Sequence, residues 1–180
     1  MNQSDVPAVS PATLEVVPLS EIIESAIETS GPLLEQSKLT LHAKLPTQPV
    51  LIQGDRMRLA QVFSNLLNNA AKYTEPGGSV AISTNIGLDP GQISIWVKDT
   101  GVGIPPELLP HVFDLFTQVD RTLNRSQGGL GIGLALVQQI VNLHGGSVVV
   151  RSEGVGKGTE FEVTLSVHKS TAGNDVSPAP

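Results

Sequence analysis

Strand signals in pairs, interleaved with three helix signals, predict an α/β (α+β) two-layer sandwich. It has a mixed sheet of about five or more strands, with three main helices on one face. Three observations carry this. The signals run helix, two strands, helix, two strands, a Gly/Pro-broken loop, helix, two strands. Apolar residues make up 39% of the chain but aromatic residues only 3%, so the core rests on Val, Ile, Leu and Ala. Glycine and proline clusters separate the elements, as after Tyr73 (Glu75-Pro76-Gly77-Gly78) and after His144 (Gly145-Gly146).

Ser20 is a candidate N-cap for a helix running towards Ser37, with Ile22, Ile23, Ala26 and Ile27 on its apolar side. Residues 38–45 alternate as a strand through Leu39, Leu41, Ala43 and Leu45, and 50–52 form a short one. Asp55 suits the N-cap of a long helix to about Tyr73. Strands 79–86 and 92–98 flank Leu88-Asp89-Pro90-Gly91, a turn sequence that makes them a hairpin. Residues 99–127 are broken by Gly and Pro. A helix then runs from about Ile132 to His144, and strands 147–151 and 159–167 close the domain as a second hairpin.

A chain of 180 residues suits one domain. The expected organisation is a linker or tail over 1–15, the domain over 16–168 and a second tail over 169–180, because both ends are rich in Ser, Pro, Ala, Asn and Thr. There is no cysteine, hence no disulfide and no thiolate metal site, which fits a reducing compartment. No apolar run approaches the roughly 20 residues a membrane span needs, and the N-terminus lacks the pattern of a secretory signal. A net charge of −6 argues against nucleic acid as a partner. A phosphate-rich ligand would need a metal ion and backbone N–H groups to offset repulsion.

Three constellations point to such a ligand. On the helix 56–73, Leu59, Val62, Phe63, Leu66 and Ala70 form the core face. Asn65, Asn69 and Lys72, at i, i+4 and i+7, form a polar stripe beside it, extended by Arg58 and Gln61. Amide oxygens are hard ligands for Mg²⁺, and an ammonium meets phosphate oxygens. Taken alone, the stripe also fits a solvated helix face. Asp99-Thr100-Gly101-Val102-Gly103-Ile104-Pro105 follows a strand directly. Its glycines permit close backbone approach, and its carboxylate can accept from an exocyclic amine such as that of adenine, though an exposed tight turn reads the same way. Finally, Gly128, Gly129, Gly131 and Gly133 run into a helix start, where free N–H groups favour phosphate, though a flexible hinge is the alternative reading.

Other sites are excluded. There is no Walker loop: Gly156-Lys157 is followed by Gly158, and Arg151 stands where the first glycine belongs. Gly129, Gly131 and Gly133 have the wrong spacing for a dinucleotide fingerprint. His42, His111, His144 and His168 are too scattered for a metal site.

In this order the motifs resemble those of histidine kinases over about residues 16–167. Residues 65–72 (NLLNNAAK) resemble the N box and 99–105 (DTGVGIP) the G1 box. Phe113-Asp114-Leu115-Phe116 resembles the F box, Gly128–Leu134 the G2 box, and Gly158-Thr159-Glu160-Phe161 the terminal strand motif. The resemblance implies the catalytic, ATP-binding domain of a bacterial sensor kinase, possibly a hybrid one, with the fold shared by gyrase, mismatch-repair ATPases and heat-shock chaperones. It implies ATP and Mg²⁺ as cofactors. Asn69 would ligate the metal, Asn65 would support metal or phosphates, Lys72 would contact phosphate and Tyr73 would pack near adenine. These implied catalytic residues are Asn65, Asn69 and Lys72. Asp99 would take the adenine amine, with Gly101, Gly103 and Ile104 at the pocket. Gly129, Leu130, Gly131, Gly133 and Leu134 would sit at the phosphates, and Thr159 near the base. Residues 117–130 would form a mobile lid, with Arg121 or Arg125 reaching the phosphates.

Two departures matter. Leu130 stands where the family often has Thr or Ser, which removes one hydroxyl contact but leaves the backbone. None of the four histidines has the setting of a phosphoacceptor. The implied partners are therefore the dimerisation and histidine-phosphotransfer domain of the same kinase and, indirectly, a response regulator. Nucleic acid and membrane are not expected partners of this segment, which is expected to be a monomer, excised or natural. The family's catalytic domains face the cytoplasm, including those of membrane-anchored kinases. The gyrase-type ATPases usually place a general-base Glu where this chain has Asn65. An amide cannot take a proton at neutral pH, so slow hydrolysis and transfer to an external histidine are expected. The alternative is a regulatory nucleotide-binding module, anti-sigma-like or a degenerate kinase, without phosphotransfer.

Overall fold

The computed structural model describes residues 14–86, 91–115 and 131–168. Its order is β1 (Glu15–Pro18), α1 (Leu19–Gln36), β2 (Thr40–Lys44), β3 (Leu51–Gly54), α2 (Arg56–Tyr73), β4 (Ser79–Ile86), β5 (Gln92–Asp99), a 3-10 turn at Leu109–His111, α3 (Gly133–Leu143), β6 (Ser147–Arg151) and β7 (Glu160–Ser166). The main sheet has the order β2-β4-β5-β7-β6. It is mixed: β2 runs parallel to β4, and the other pairs are antiparallel. The predicted fold class and both hairpins are present.

Alternation decides which face is covered. Ile93, Ile95 and Val97 of β5, Val80 and Ile82 of β4, and Phe161, Val163 and Leu165 of β7 are buried. They meet Ile22, Ile23 and Ala26 of α1, Leu59, Val62, Phe63 and Leu66 of α2, and Val137, Ile140 and Val141 of α3 in one core. On the other face polar side chains pair across strands, as in Arg151 to Glu162 at 2.7 Å. That division, one face packed and one solvated, is typical of antiparallel sheets.

Two expectations are corrected near the N-terminus. Ser20 does not cap α1: the cap position is Pro18, without a side-chain bond, and Ser20 lies inside the first turn. Glu15 opens a strand that the composition concealed. Its partner is β3, so β1 and β3 form a separate two-stranded ribbon outside the main sheet. A four-residue strand is too short to give a periodic signal, and only pairing with a distant segment reveals it.

Candidate functional site

The site is built from α2 upward. Asp55 caps that helix, its Oδ1 accepting from the Arg58 N–H at 3.0 Å. Leu59, Val62, Phe63 and Leu66 lie on the core and fix the rotation of the helix. Asn65, Asn69 and Lys72 consequently lie at the border of the core, half-buried. Arg58 departs from the predicted stripe: its guanidinium turns back to Asp55 at 3.4 Å. At the far end, the Lys72 Nζ rests over the ring of Tyr73, 5.0 Å from its centroid.

α2 ends next to the central strand, β5. Asp99, the last residue of β5, is only 7% exposed. Its Oδ1 accepts from the N–H of Gly101 at 2.8 Å and of Thr159 at 3.1 Å. Among the described residues both bonds fall on Oδ1, which leaves Oδ2 to accept from a ligand. Burial pushes the carboxyl above its ordinary value, and the two N–H groups pull part of the way back. A desolvated carboxylate with a free oxygen is a strong, directional acceptor.

The loop after Asp99 is tied on both sides. Val102 N–H donates to Tyr73 O at 2.9 Å, Gly158 N–H to Gly101 O at 3.1 Å and Gly156 N–H to Val102 O at 2.7 Å. Glycine is needed here. A Cβ on Gly101 would run into the Tyr73 carbonyl, and Gly103, at φ +71°, would run into the Gly154 carbonyl. Ile104 is buried behind them. Phe113 meets Phe161 edge-on at 6.4 Å.

α3 brings the third part. His144, just past its end, uses both ring nitrogens: Nε2 accepts from Asp55 N–H at 3.0 Å, and Nδ1 bonds the Ile140 carbonyl at 2.7 Å. α3 packs along α2 from this joint. A helix of 11 residues is roughly 16 Å long. That start has no side-chain cap, and Gly131 before it has φ +68°. Among the described residues, the first-turn N–H groups of Gly133 and Leu134 are thus left for an anion.

The structure gathers Tyr73, Asp99, Gly101, Gly103, Ile104 and Thr159 around one strand end, with Asn65, Asn69 and Lys72 on the adjoining helix. Phe116, Arg121, Arg125, Gly128, Gly129, Leu130 and the expected lid over 117–130 lie outside the described residues. Sequence reading missed Thr74 and Ser152. Thr74 is buried, and its Oγ1 is, among the described residues, the one buried side-chain polar atom without a partner. Ser152 bonds across to Ile104. The signal for Ser152 was the Gly154, Gly156, Gly158 run beside it, which matters as a turn and not as a phosphate loop. Among the described residues no group of three His, Cys, Asp or Glu could hold a metal. A divalent ion here would need amide and phosphate oxygens.

Comparison with known proteins agrees with this fold. The family model described as "Histidine kinase-, DNA gyrase B-, and HSP90-like ATPase" matches residues 54–169. The circadian input-output histidine kinase CikA of Synechococcus elongatus is 36% identical over 94% of the chain and 22% of its own length. The mycobacterial sensor histidine kinase MprB superposes with a TM-score of 0.74 at 30% identity, covering 86% of this chain and 99% of that one. Full-length ShkA, solved in complex with AMPPNP, gives 0.72 at 29% identity, over 88% of this chain and 32% of that one. The chain spans between 12% and 22% of the length of the curated relatives it matches.

Proposed function

The chain belongs to the histidine kinase, DNA gyrase B and HSP90-like ATPase family, as a catalytic domain of the histidine kinase type, and on that premise we propose that it binds Mg-ATP and transfers the γ-phosphate to a histidine on a separate dimerisation domain, in two-component signalling. The observation that carries this is the buried Asp99 carboxylate, one oxygen held by two N–H groups, at the end of the Asn65, Asn69, Lys72 stripe.

In this reading Asp99 Oδ2 accepts the adenine amine, with Gly101, Gly103, Ile104 and Thr159 around the base and Tyr73 against it. Lys72 leaves the face of Tyr73 for a phosphate oxygen. Asn69 offers its amide oxygen to Mg²⁺ and Asn65 supports it. The ion, when bound, neutralises charge on the phosphate oxygens. Gly131, Gly133 and Leu134 offer backbone N–H groups to the same phosphates, as Gly129, Leu130 and Arg125 would from the lid. Position 65 carries an amide and no carboxylate, so the domain positions and stabilises the transferring group and leaves deprotonation to its partner. Residues 16–168 are the catalytic unit. It would work on the cytoplasmic side, where ATP is supplied, and no described helix is long and apolar enough to cross a membrane. The phosphorylated histidine would then serve a response regulator.

Calorimetric titration with a non-hydrolysable ATP analogue tests this. Binding should strengthen with Mg²⁺ and weaken in Asn69→Ala, and a histidine-bearing dimerisation domain added in trans should become phosphorylated. No binding by the folded chain would overturn the reading. Binding without any transfer would favour a regulatory module.

A further inference from the structure

Ser152 sits half-buried just after β6, between two segments that both lead to Asp99. Its Oγ donates to the Gly158 carbonyl at 2.7 Å and accepts from the Ile104 N–H at 3.0 Å and the Gly154 N–H at 3.3 Å. The Gly154 carbonyl is farther, at 3.4 Å. A hydroxyl has one proton and two lone pairs, so the Gly158 bond and the two N–H groups saturate it. The remaining ties between these segments are backbone to backbone, from Gly156 to Val102 and from Gly158 to Gly101.

Both ends of this clamp adjoin a donor to Asp99 Oδ1, the oxygen beside the one left for the base. Gly158 precedes Thr159, whose N–H bonds Asp99 Oδ1. Ile104 closes the loop that opens with Gly101, the other donor to Oδ1. We infer that Ser152 is a positioning residue for base recognition: its hydroxyl locks the Gly101–Ile104 loop to the Gly154–Gly158 turn and so fixes the direction in which Asp99 Oδ2 presents itself to the base. This rests on the reading of Asp99 as acceptor for the adenine amine. The conformational freedom of glycine sharpens the need for a clamp. Gly103, Gly154, Gly156 and Gly158 all have positive φ, and chains of such residues hold one shape only when cross-linked.

The test compares two nucleotides on the same protein by calorimetry: an ATP analogue, and the triphosphate of purine riboside, which lacks the 6-amino group. The wild-type chain should prefer the first, and Asp99→Asn should abolish the preference. Ser152→Ala should lower the preference by roughly fivefold to tenfold, part of what a well-aligned hydrogen bond to a charged acceptor is worth, because the Asp99 bond is misaligned and not removed. Ser152→Thr, which keeps the hydroxyl, should restore it. A purely structural serine would weaken both nucleotides alike and leave their ratio unchanged, and that outcome overturns the inference. If Ser152→Ala does not fold, Ser152→Cys offers a weaker donor of similar size. Its ratio should fall about threefold, and an unchanged ratio overturns the inference equally. If Asp99→Asn leaves the wild-type preference intact, the reading of Asp99 fails and the inference fails with it. If Asp99→Asn abolishes the preference and Ser152→Ala spares it, the inference alone fails.

Discussion

The two ends of α2 are built on opposite rules. At its N-terminal end the polar groups find partners: Asp55 caps the helix, Arg58 pairs with Asp55, and His144 joins the Asp55 N–H to the Ile140 carbonyl. Gly54 lets the His144 ring and Leu59 close on the backbone, because a Cβ there would lie 2.8 Å from His144 Cδ2. At the C-terminal end, polar groups are buried without full satisfaction. Among the described residues Thr74 Oγ1 has no partner, the Asp99 carboxyl is pushed above its ordinary range, and Lys72 leans on an aromatic face. One end is therefore a joint. The other holds interaction energy that a ligand can complete, which is how binding sites differ from structural networks of similar residues.

The contrast can be broken most sharply at Asp99. Asp99→Asn keeps an oxygen for Gly101 and Thr159 but turns an N–H towards the base. Nucleotide affinity should fall by about thirtyfold or more, within the range for a lost bond to a charged acceptor, while thermal stability at neutral pH is not lowered. An affinity equal to wild type in calorimetry would contradict the assignment.

The opposite result is expected at the joint. His144→Ala removes the acceptor for the Asp55 N–H and should cost roughly 1–3 kcal/mol in urea unfolding. Nucleotide affinity should stay within twofold. A large affinity loss at unchanged stability would show that the two ends are not separable.

Thr74→Val should have a smaller effect of the other sign. It replaces an unpartnered buried hydroxyl by a methyl of similar shape and should stabilise the chain by up to about 1 kcal/mol. A destabilisation of that size would mean that the hydroxyl is bonded in solution.

A pH series sharpens the comparison further. The folded Asp99 carboxyl titrates above 3.8, so the folded chain keeps this proton to higher pH than the unfolded chain does. Its contribution to stability is present at low pH and declines as pH rises from 3.8 through the raised value. The difference in unfolding free energy between wild type and Asp99→Asn should move in that direction over that window. A difference flat with pH would remove the case for a strained carboxylate.

How much of this was legible beforehand depended on how local the signal was. Asp55 was readable as a cap because an N-cap needs only its own helix, and α2 starts at Arg56 as expected. Ser20 misled, since a serine near a helix start caps only when the backbone breaks there, and the break came at Pro18, where β1 ends. The Asn65, Asn69, Lys72 stripe followed from helical periodicity. The Asp99 turn followed from glycine beside a strand end.

The sequence by itself determined the layer architecture, the core faces of α1 and α2 and the residue types offered at one strand end, because periodicity, capping and turn chemistry act over a few residues. Only the tertiary structure decided that β1 pairs with β3, that His144 anchors α3 to α2, and that Ser152 clamps the loop beneath Asp99. Each joins groups that are dozens of residues apart, His144 and Asp55 being separated by 89. A hydrogen bond of that kind is set by where packed elements place two backbones, and local composition does not encode it.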